Sequence, residues 1–568
     1  MPQHVVIIGA VALGPKAACR FKRLEPDSRV TMVDRGRTIS YGGCGIPYYV
    51  SGDVSDASAL QSTAFHMVRD PAFFKATKGV DVRTETEAVS IDRAAKTVTL
   101  RHLPTGAEEV LSYDKLVLAT GSSPVRLPIP GADLPGVFSV GSLEEATAIR
   151  QRVSSGKVGS AVVVGGGFIG LEMAEALADM WGIETTVLEY MDQILPAVAG
   201  KNLARMARLH MEEKGVTFRL GEKLLRIEGD DEVERLVTDK GEIEADLVVM
   251  SVGVRPNSEL ARAAGLTVSE RGGIVVDETM RTSDPDIFAG GDCVQVKNLV
   301  TGKPAYLPMG SMANRQGRVI GDNLAGGHAR FDGVVGSWCV KLFERAAAGV
   351  GLNLNAALRE GYDAISVHVT QVDRAHFYPD RALMSLELVL DRATRRVLGM
   401  QGLGVNGDAL VGKVDALAAM LPHAPVCDDL SNVEMAYSPP FSAALDILNV
   451  LGNVAVNVLD GRNRGIEVDR FEELWDGRAD NGVFFLDCRE RDNAAEFLSR
   501  HPGDWHNIPQ GELAGRLDEL PRDRPVVVIC NTGARSYEAL VTLLHNGFDD
   551  AAGVEGGMAA VRALGLKI

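Results

Sequence analysis

Cys44 stands in a glycine-rich turn, S-Y-G-G-C-G-I-P-Y-Y over residues 40–49, with no second cysteine within ten residues on either side. Glycines at 42, 43 and 45 let the backbone bring the thiol close to a flat ligand, and the Ile46-Pro47 pair allows a helix to begin directly behind it. A thiol at a helix start has a lowered pKa and is a better nucleophile near neutral pH. The competing reading is a small buried hydrophobe in a turn, which is what most free cysteines are. A second reactive candidate is Cys530. It opens C-N-T-G-A-R-S, between the buried-strand pattern P-V-V-V-I of residues 525–529 and the helix pattern Y-E-A-L-V-T-L-L. Such a loop turns several backbone N–H groups into a ring that holds an anion or a persulfide sulfur on Cys530, and Arg535 adds a fixed positive charge.

The elements around Cys44 read as nucleotide-binding units. Residues 5–8 form a buried-strand pattern, followed by G-A-V-A-L-G at 9–14 and a helix through Leu24. Here Val11 takes the place of the middle glycine; Gly9 permits the tight turn and Gly14 the close strand–helix packing. A second strand pattern over Arg29–Val33 ends in Asp34, twenty residues beyond Gly14 and placed to hold a ribose hydroxyl. A second copy starts at Ala161, where Gly165, Gly167 and Gly170 complete G-x-G-x-x-G and Glu189 ends the next strand. Two such units imply two dinucleotides, commonly a flavin and a nicotinamide. Glu189 favours NADH, because a 2′-phosphate about 4 Å away would be repelled by on the order of 4 kcal/mol at an effective dielectric of roughly 20. No arginine follows to relieve that repulsion; the next residues are Tyr190 and Met191. Further strand patterns at 116–121, 247–256 and 282–292, the last ending in Asp292, suggest one nucleotide domain split by insertion of another.

A chain of 568 residues and 60.7 kDa is too long for one core and predicts three or four domains. Its formal charge of −17 argues against nucleic-acid and anionic-membrane partners. Seven scattered cysteines without a C-x-x-C pair fit a reducing compartment, no metal-ligand spacing is present, and no apolar run spans a bilayer. The opening M-P-Q-H-V-V-I-I-G enters a strand with no basic leader, so a cytoplasmic enzyme is expected. From about Gly327 strand patterns at 364–370 and 383–390 alternate with helices, and Tyr437 in E-M-A-Y-S-P-P-F reads, on its own residues, as a packed aromatic. Residues 449–464, with Gly452 and Gly461, read as a linker, and the last hundred residues as a small α/β domain.

The motifs G-A-V-A-L-G, S-Y-G-G-C-G-I-P-Y, G-G-G-F-I-G-L-E-M-A-E, S-V-G-V-R-P-N, F-A-G-G-D-C and M-A-Y-S-P-P-F resemble the single-cysteine flavin disulfide reductases, most closely coenzyme A-disulfide reductase. C-N-T-G-A-R-S resembles a rhodanese loop, and the fusion is that of the NADH-dependent persulfide reductases. The resemblance implies an α/β fold. It has an FAD domain in two parts (1–122 and 250–326), an NADH domain (123–249), an α+β dimerisation domain (327–449), a linker (450–465) and a rhodanese-like domain (466–568). It implies FAD with Asp34 on the adenosine ribose and Asp292 near the ribityl chain. Cofactor contacts are expected at Gly9, Val11, Ala12, Gly14, Asp34, Arg35, Ser40, Gly43, Thr120, Gly121, Gly165, Gly167, Phe168, Ile169, Gly170, Glu189, Gly253, Gly291, Asp292 and Ala313. It further implies Cys44 as the redox-active thiol and a homodimer in which Tyr437 reaches the partner's active site as proton donor or orienter.

Coenzyme A contacts would fall on Arg20, Lys22, Arg23, Lys75 and Tyr378, although the helix charges serve equally as a solvated face. Two departures bear on the substrate. Gly43 stands where the family carries asparagine, and Phe377-Tyr378 where it carries two tyrosines, leaving Tyr437 to act alone. The resulting expectation is an enzyme reducing sulfur–sulfur bonds of coenzyme A persulfide, polysulfide or coenzyme A disulfide through Cys44, Tyr437, Cys530 and Arg535. The rival is an NADH oxidase or peroxidase cycling through a cysteine sulfenic acid. Its relatives carry histidine where Ala12 stands. A third reading makes the carboxy-terminal module a mere sulfur-binding or docking domain. Cys19, Cys293, Cys339, Cys427 and Cys488 read as packing residues.

Overall fold

Short apolar runs bounded by glycine suit strands buried on both faces of a parallel sheet, and in the computed structural model, which describes residues 2–568, two such sheets fill the first unit of the chain. That unit runs to Asp192 and resumes over Gly215–Val334; the other comprises Gln193–Lys214 and Val335–Ile568. In the first sheet His4–Ile8 lies at the centre, with Arg29–Val33 and then Asp81–Arg83 on one side, and Lys115–Leu118 and then Ile287–Ala289 on the other. The second sheet repeats this order: Ser160–Val164 is central, flanked by Glu184–Glu189 and Val216–Leu220, and by Leu247–Met250 and Val137–Ser139. All eight pairings are parallel. Each third strand leads into a three-stranded antiparallel sheet, Thr86–Asp92 with Thr97–His102 and Glu108–Ser112 in one half, Leu224–Glu228 with Arg235–Thr238 and Glu242–Glu244 in the other. Two copies of one plan therefore make up this unit, each a doubly wound nucleotide fold. The edge strand Ile287–Ala289 joins the first sheet only after the second sheet is complete.

The sequence expectations over 247–256 and 282–292 are corrected in detail. The former is two strands, Leu247–Met250 and Val254–Pro256, the second pairing antiparallel with Ser122–Pro124. In the latter only Ile287–Ala289 is strand, and Asp292 sits on the tight turn Gly291–Cys293.

The second unit holds a five-stranded antiparallel sheet in the order Trp338–Leu342, Arg345–Gly351, Val397–Gly404, Leu383–Asp391, Ala364–Val372. It also holds an all-parallel sheet in the order Gly465–Ile466, Ala551–Val554, Val526–Ile529, Phe484–Asp487, Trp505–Asn507. The stretch read as a linker at 450–465 is a helix for most of its length, Ile447–Leu459. Asp446 caps it by accepting from the Leu448 N–H at 3.0 Å, and its other oxygen takes the buried Lys413 ammonium at 2.6 Å. Ile447, Leu448, Leu451 and Ala455 turn inward at helical spacing. Gly452 is no hinge, because a Cβ there would come within 2.5 Å of the Ser431 nitrogen on the neighbouring helix Cys427–Asn432.

Candidate active site

The strand ends of the first unit create two matching cradles. Gly9 and Gly165 follow the central strands at φ of +109° and +112°, a backbone open to glycine. A Cβ on Gly14 or Gly170 would overlap the Gly9 or Gly165 carbonyl, so these glycines close each helix onto its strand. In both cradles the acid at the end of the second strand is fastened to the loop after the first. Asp34 accepts from the N–H groups of Ala10 at 2.7 Å and Gly36 at 2.8 Å, and Glu189 from Gly166 at 2.7 Å and Met191 at 2.8 Å. Burial pushes the Asp34 carboxyl up against the pull of those two N–H groups. By contrast, a Cβ added at Gly43, Gly121, Gly167 or Gly253 would meet nothing within 4 Å. These glycines leave room beside the strand ends, where the nucleotide rule for such sheets places a ligand. The cradles fit two dinucleotides.

The remaining expected cofactor positions gather on the same elements. Val11 and Ala12 lie in the first cradle, with Arg35 exposed beside Asp34; Phe168 and Ile169 begin the helix Phe168–Ala178. Ser40 is buried at a φ of +52° and donates its N–H to Ala10 O at 2.8 Å, tying the cysteine loop to the first cradle. The Thr120 hydroxyl donates to Asn257 O at 2.6 Å. Gly291 donates to the buried Gln316 at 2.7 Å, and Asp292 accepts from the Ser122 hydroxyl at 3.0 Å. Ala313 is buried on the helix Gly310–Leu324.

Cys44 lies on the turn Gly43–Gly45, held by Gly42 N–H to Leu60 O at 2.9 Å, and leads into the six-residue helix Ile46–Ser51. The expected lowering of its pKa by that helix is not what the structure shows. The thiol is pushed up, first by desolvation, then by the carboxylates of Glu172 and Asp292, even though the residue reaches solvent in the ligand-free chain. Opposing them is a helix the sequence reading missed. The sulfur lies 3.4 Å from where a Cβ of Gly310 would stand, at the first residue of the fifteen-residue helix Gly310–Leu324, and the Gly310 N–H favours the thiolate. Glu172 was also missed. It accepts from the Tyr48 hydroxyl at 3.3 Å, and burial, with Glu175 nearby, pushes its carboxyl up to about 7. The available signal was a glutamate one turn into a fingerprint helix that is apolar apart from it and Glu175.

Three of the four basic residues expected to meet coenzyme A have partners within the chain. Arg20 pairs with Asp322, Lys22 donates to Pro26 O at 2.6 Å and Ser28 O at 2.7 Å, and Lys75 pairs with Asp81; Arg23 is exposed. In the second unit Tyr437 is not the packed aromatic its residues alone suggested; it is 51% exposed in a loop, and Phe377 and Phe441 are exposed as well. Tyr378 donates its N–H to Ala375 O at 2.9 Å.

Cys530 follows the strand Val526–Ile529 and precedes the helix Ala534–His545. Its sulfur accepts from Gly533 N–H at 3.1 Å and lies 3.4 Å from the Ser536 hydroxyl. The thiol is held well below the ordinary range, most by the neighbouring Cys488 thiol, with Ser536 and the Thr532 N–H assisting against desolvation. Arg535 lies 3.8 Å from Glu490. Among the described residues no cluster suits a metal ion, and no helix is long and apolar enough to cross a membrane.

Two nucleotide cradles, a single cysteine beside the first of them and a strand–loop–helix turn around a second cysteine define a flavin-type disulfide reductase fold joined to a small α/β module. The chain belongs to the pyridine nucleotide-disulphide oxidoreductase family, matched over residues 3–313, with that family's dimerisation domain at 339–447 and a rhodanese-like domain at 470–564. It is an oxidoreductase. It is similar over 99% of its length to all of an NAD-dependent persulfide reductase from A. fulgidus, at 41% identity and a TM-score of 0.92. An FAD-dependent pyridine nucleotide-disulphide oxidoreductase from Desulfovibrio vulgaris matches 80% of the chain with 100% of its own, at 50% identity and a TM-score of 0.66. A CoA-dependent NAD(P)H sulfur oxidoreductase of Pyrococcus abyssi is 36% identical over 450 residues, 79% of this chain and 97% of that protein. The family read from the sequence motifs is borne out.

Proposed function

We propose that this protein uses NADH to reduce sulfur–sulfur bonds of coenzyme A persulfide, polysulfide or coenzyme A disulfide, with Cys44 as the attacking group. Bound FAD and NADH supply the hydride relay that returns two electrons to the cysteine; Asp34 and Asp292 hold the flavin nucleotide and Glu189 the NADH ribose. The Cys44 thiolate attacks a sulfane or disulfide sulfur, the S–S bond breaks, and the departing thiolate or hydrosulfide takes a proton. The N-terminus of Gly310–Leu324 stabilises the thiolate that forms. Tyr437 of the partner subunit is the proton donor, a role supported by its exposure on the dimerisation domain. Glu172, its carboxyl pushed up to about 7, carries only part of a negative charge near neutral pH and so repels an entering anionic substrate less than an ordinary glutamate. Arg23 and Lys75 carry exposed charge for the phosphates of coenzyme A, since an exposed ion pair such as Lys75 with Asp81 costs little to exchange. Cys530 carries sulfane sulfur as a persulfide, ringed by the N–H groups of its loop. A reducing compartment such as the cytoplasm suits a chain whose seven cysteines form no disulfide.

The observation that carries this reading is the placement of the Cys44 sulfur at the first residue of Gly310–Leu324, beside Asp292. Cys44→Ser is expected to abolish NADH-driven sulfide release while flavin absorbance is retained. Persulfide reduction surviving in that variant would overturn the assignment.

A further inference from the structure

Cys488 lies outside the two reactive loops, and the proposed chemistry gives it no part. The strands Phe484–Asp487 and Val526–Ile529 run parallel with Asp487 opposite Ile529, so the next residues, Cys488 and Cys530, stand abreast at the carboxyl end of the sheet. The Cys488 N–H donates to Ile529 O at 3.0 Å, which continues the ladder to that point. Its thiol donates to the same carbonyl at 3.2 Å and lies within hydrogen-bond reach of the Cys530 sulfur. Both side chains are buried, at 0% and 1% exposure, in one apolar cluster with Leu513, Val528 and Leu540. Neighbouring parallel strands lie about 4.8 Å apart, inside the Cα separation of roughly 4.4–6.8 Å that a disulfide spans. Residues abreast on such strands project to the same face.

We propose that Cys488 is a resolving cysteine that discharges the Cys530 persulfide inside the carboxy-terminal module. The inference rests on the reading of Cys530 as a sulfane-sulfur carrier. In the step, the Cys488 sulfur bonds to Cys530 Sγ and the bond from Cys530 Sγ to the terminal sulfur breaks. The Cys488 thiol proton passes to that terminal sulfur, which leaves as hydrosulfide. The sulfane sulfur is reduced to sulfide and the two cysteines are oxidised to a disulfide. Two molecules of a small thiol of the coenzyme A class then reduce the bridge and depart as their own disulfide, a substrate class assigned above to Cys44. The charge states suit the order of events. Cys530 is held as an anion, while its proximity and burial keep Cys488 a neutral thiol. Cys488 therefore becomes a nucleophile only when a loaded terminal sulfur is present to take its proton.

The test uses the full-length flavoprotein carrying Cys44→Ser, reduced, freed of small thiols and kept anaerobic without NADH, with thiosulfate as the sulfur donor. Sulfide is measured, and non-reducing peptide maps follow residues 488 and 530. Expected are sulfide release stoichiometric with chains and a Cys488–Cys530 bridge. Adding Cys488→Ala, or separately Cys488→Ser, should leave Cys530 carrying one extra sulfur atom, without a bridge, and slow release by ~10-fold or more. A Cys530 persulfide that persists equally with and without Cys488, and no bridge, would overturn the inference while leaving Cys530 as a carrier. Failure of Cys530 to gain sulfur in every form would remove the carrier reading and this inference with it.

Discussion

In the proposed function two cysteines with opposite surroundings divide the chemistry. Cys530 is drawn down by donors gathered from its own loop and neighbouring strand, whereas Cys44 is pushed up by burial and by Glu172 and Asp292 until a substrate and cofactor complete its site. Thiosulfate uptake by Cys530 is therefore expected to change less than about twofold between pH 8 and pH 6. Replacing Cys488 by alanine should move that profile to higher pH, because the Cys488 thiol is the first cause of the lowering. In the flavin-free chain, alkylation of Cys44 should still be rising at pH 9.0, the ordinary thiol value. A Cys44 rate that levels off below pH 8 would contradict the upward push from burial, Glu172 and Asp292. Both cysteines were legible in the sequence, since a lone cysteine among glycines and a C-x-x-G-x-R-S loop behind an apolar strand are local signals. What was not legible came from chain distant in sequence. Gly310 reaches the Cys44 sulfur across more than 260 residues, and Glu172 was hidden inside a helix recognised only for its glycines.

At the scale of elements, the glycine fingerprints and their terminal acids located both cradles because strand, turn and helix follow one another within about thirty residues. The pair of antiparallel three-stranded sheets escaped notice, since their strands are short, half exposed and carry no such signature. The helix Ile447–Leu459 was missed for a different reason: Asn449, Gly452, Asn453 and Asn457 suggest a loop when tertiary contacts are unseen. Asn449 is in fact a clamp, its amide donating to Leu430 O at 3.1 Å and Val433 O at 2.9 Å. Gly452→Ala separates the two readings. Helix propensity alone favours alanine by about 1 kcal/mol. The Cβ, however, would press on the backbone of Leu430 and Ser431, and the variant is expected to lose about 1–3 kcal/mol, read as a lower thermal midpoint. An unchanged or raised midpoint would show that the segment behaves as a linker.

Across the molecule, the second unit joins its two sheets over buried acids. Glu387 of the antiparallel sheet is pushed up to about 7 and Glu555, after the parallel-sheet strand Ala551–Val554, to about 8, chiefly by burial, with Glu467 adding to both. At these two sites the folded protein therefore binds more protons than the unfolded chain from the ordinary glutamate value of 4.5 up to about 8. Stability from these groups is greatest below that window and falls as pH rises through it. Thermal unfolding of the second unit should come earlier at pH 9 than at about pH 7.5, above the ordinary histidine range, and Glu555→Gln should reduce the difference; equal midpoints in wild type over that window would count against the buried acids. The first unit brings a thiol to a nucleotide cradle and the second holds the Cys530 loop, and in the proposed function both serve reduction of sulfane sulfur by NADH. The most direct measurement is NADH oxidation by the holoenzyme under anaerobic conditions. Coenzyme A persulfide, polysulfide and coenzyme A disulfide would be compared with oxygen and peroxide added separately. Fast turnover with persulfide or polysulfide, with sulfide released and Cys44 required, is the predicted result. Turnover confined to oxygen or peroxide would contradict it and make Cys44 a sulfenic-acid centre.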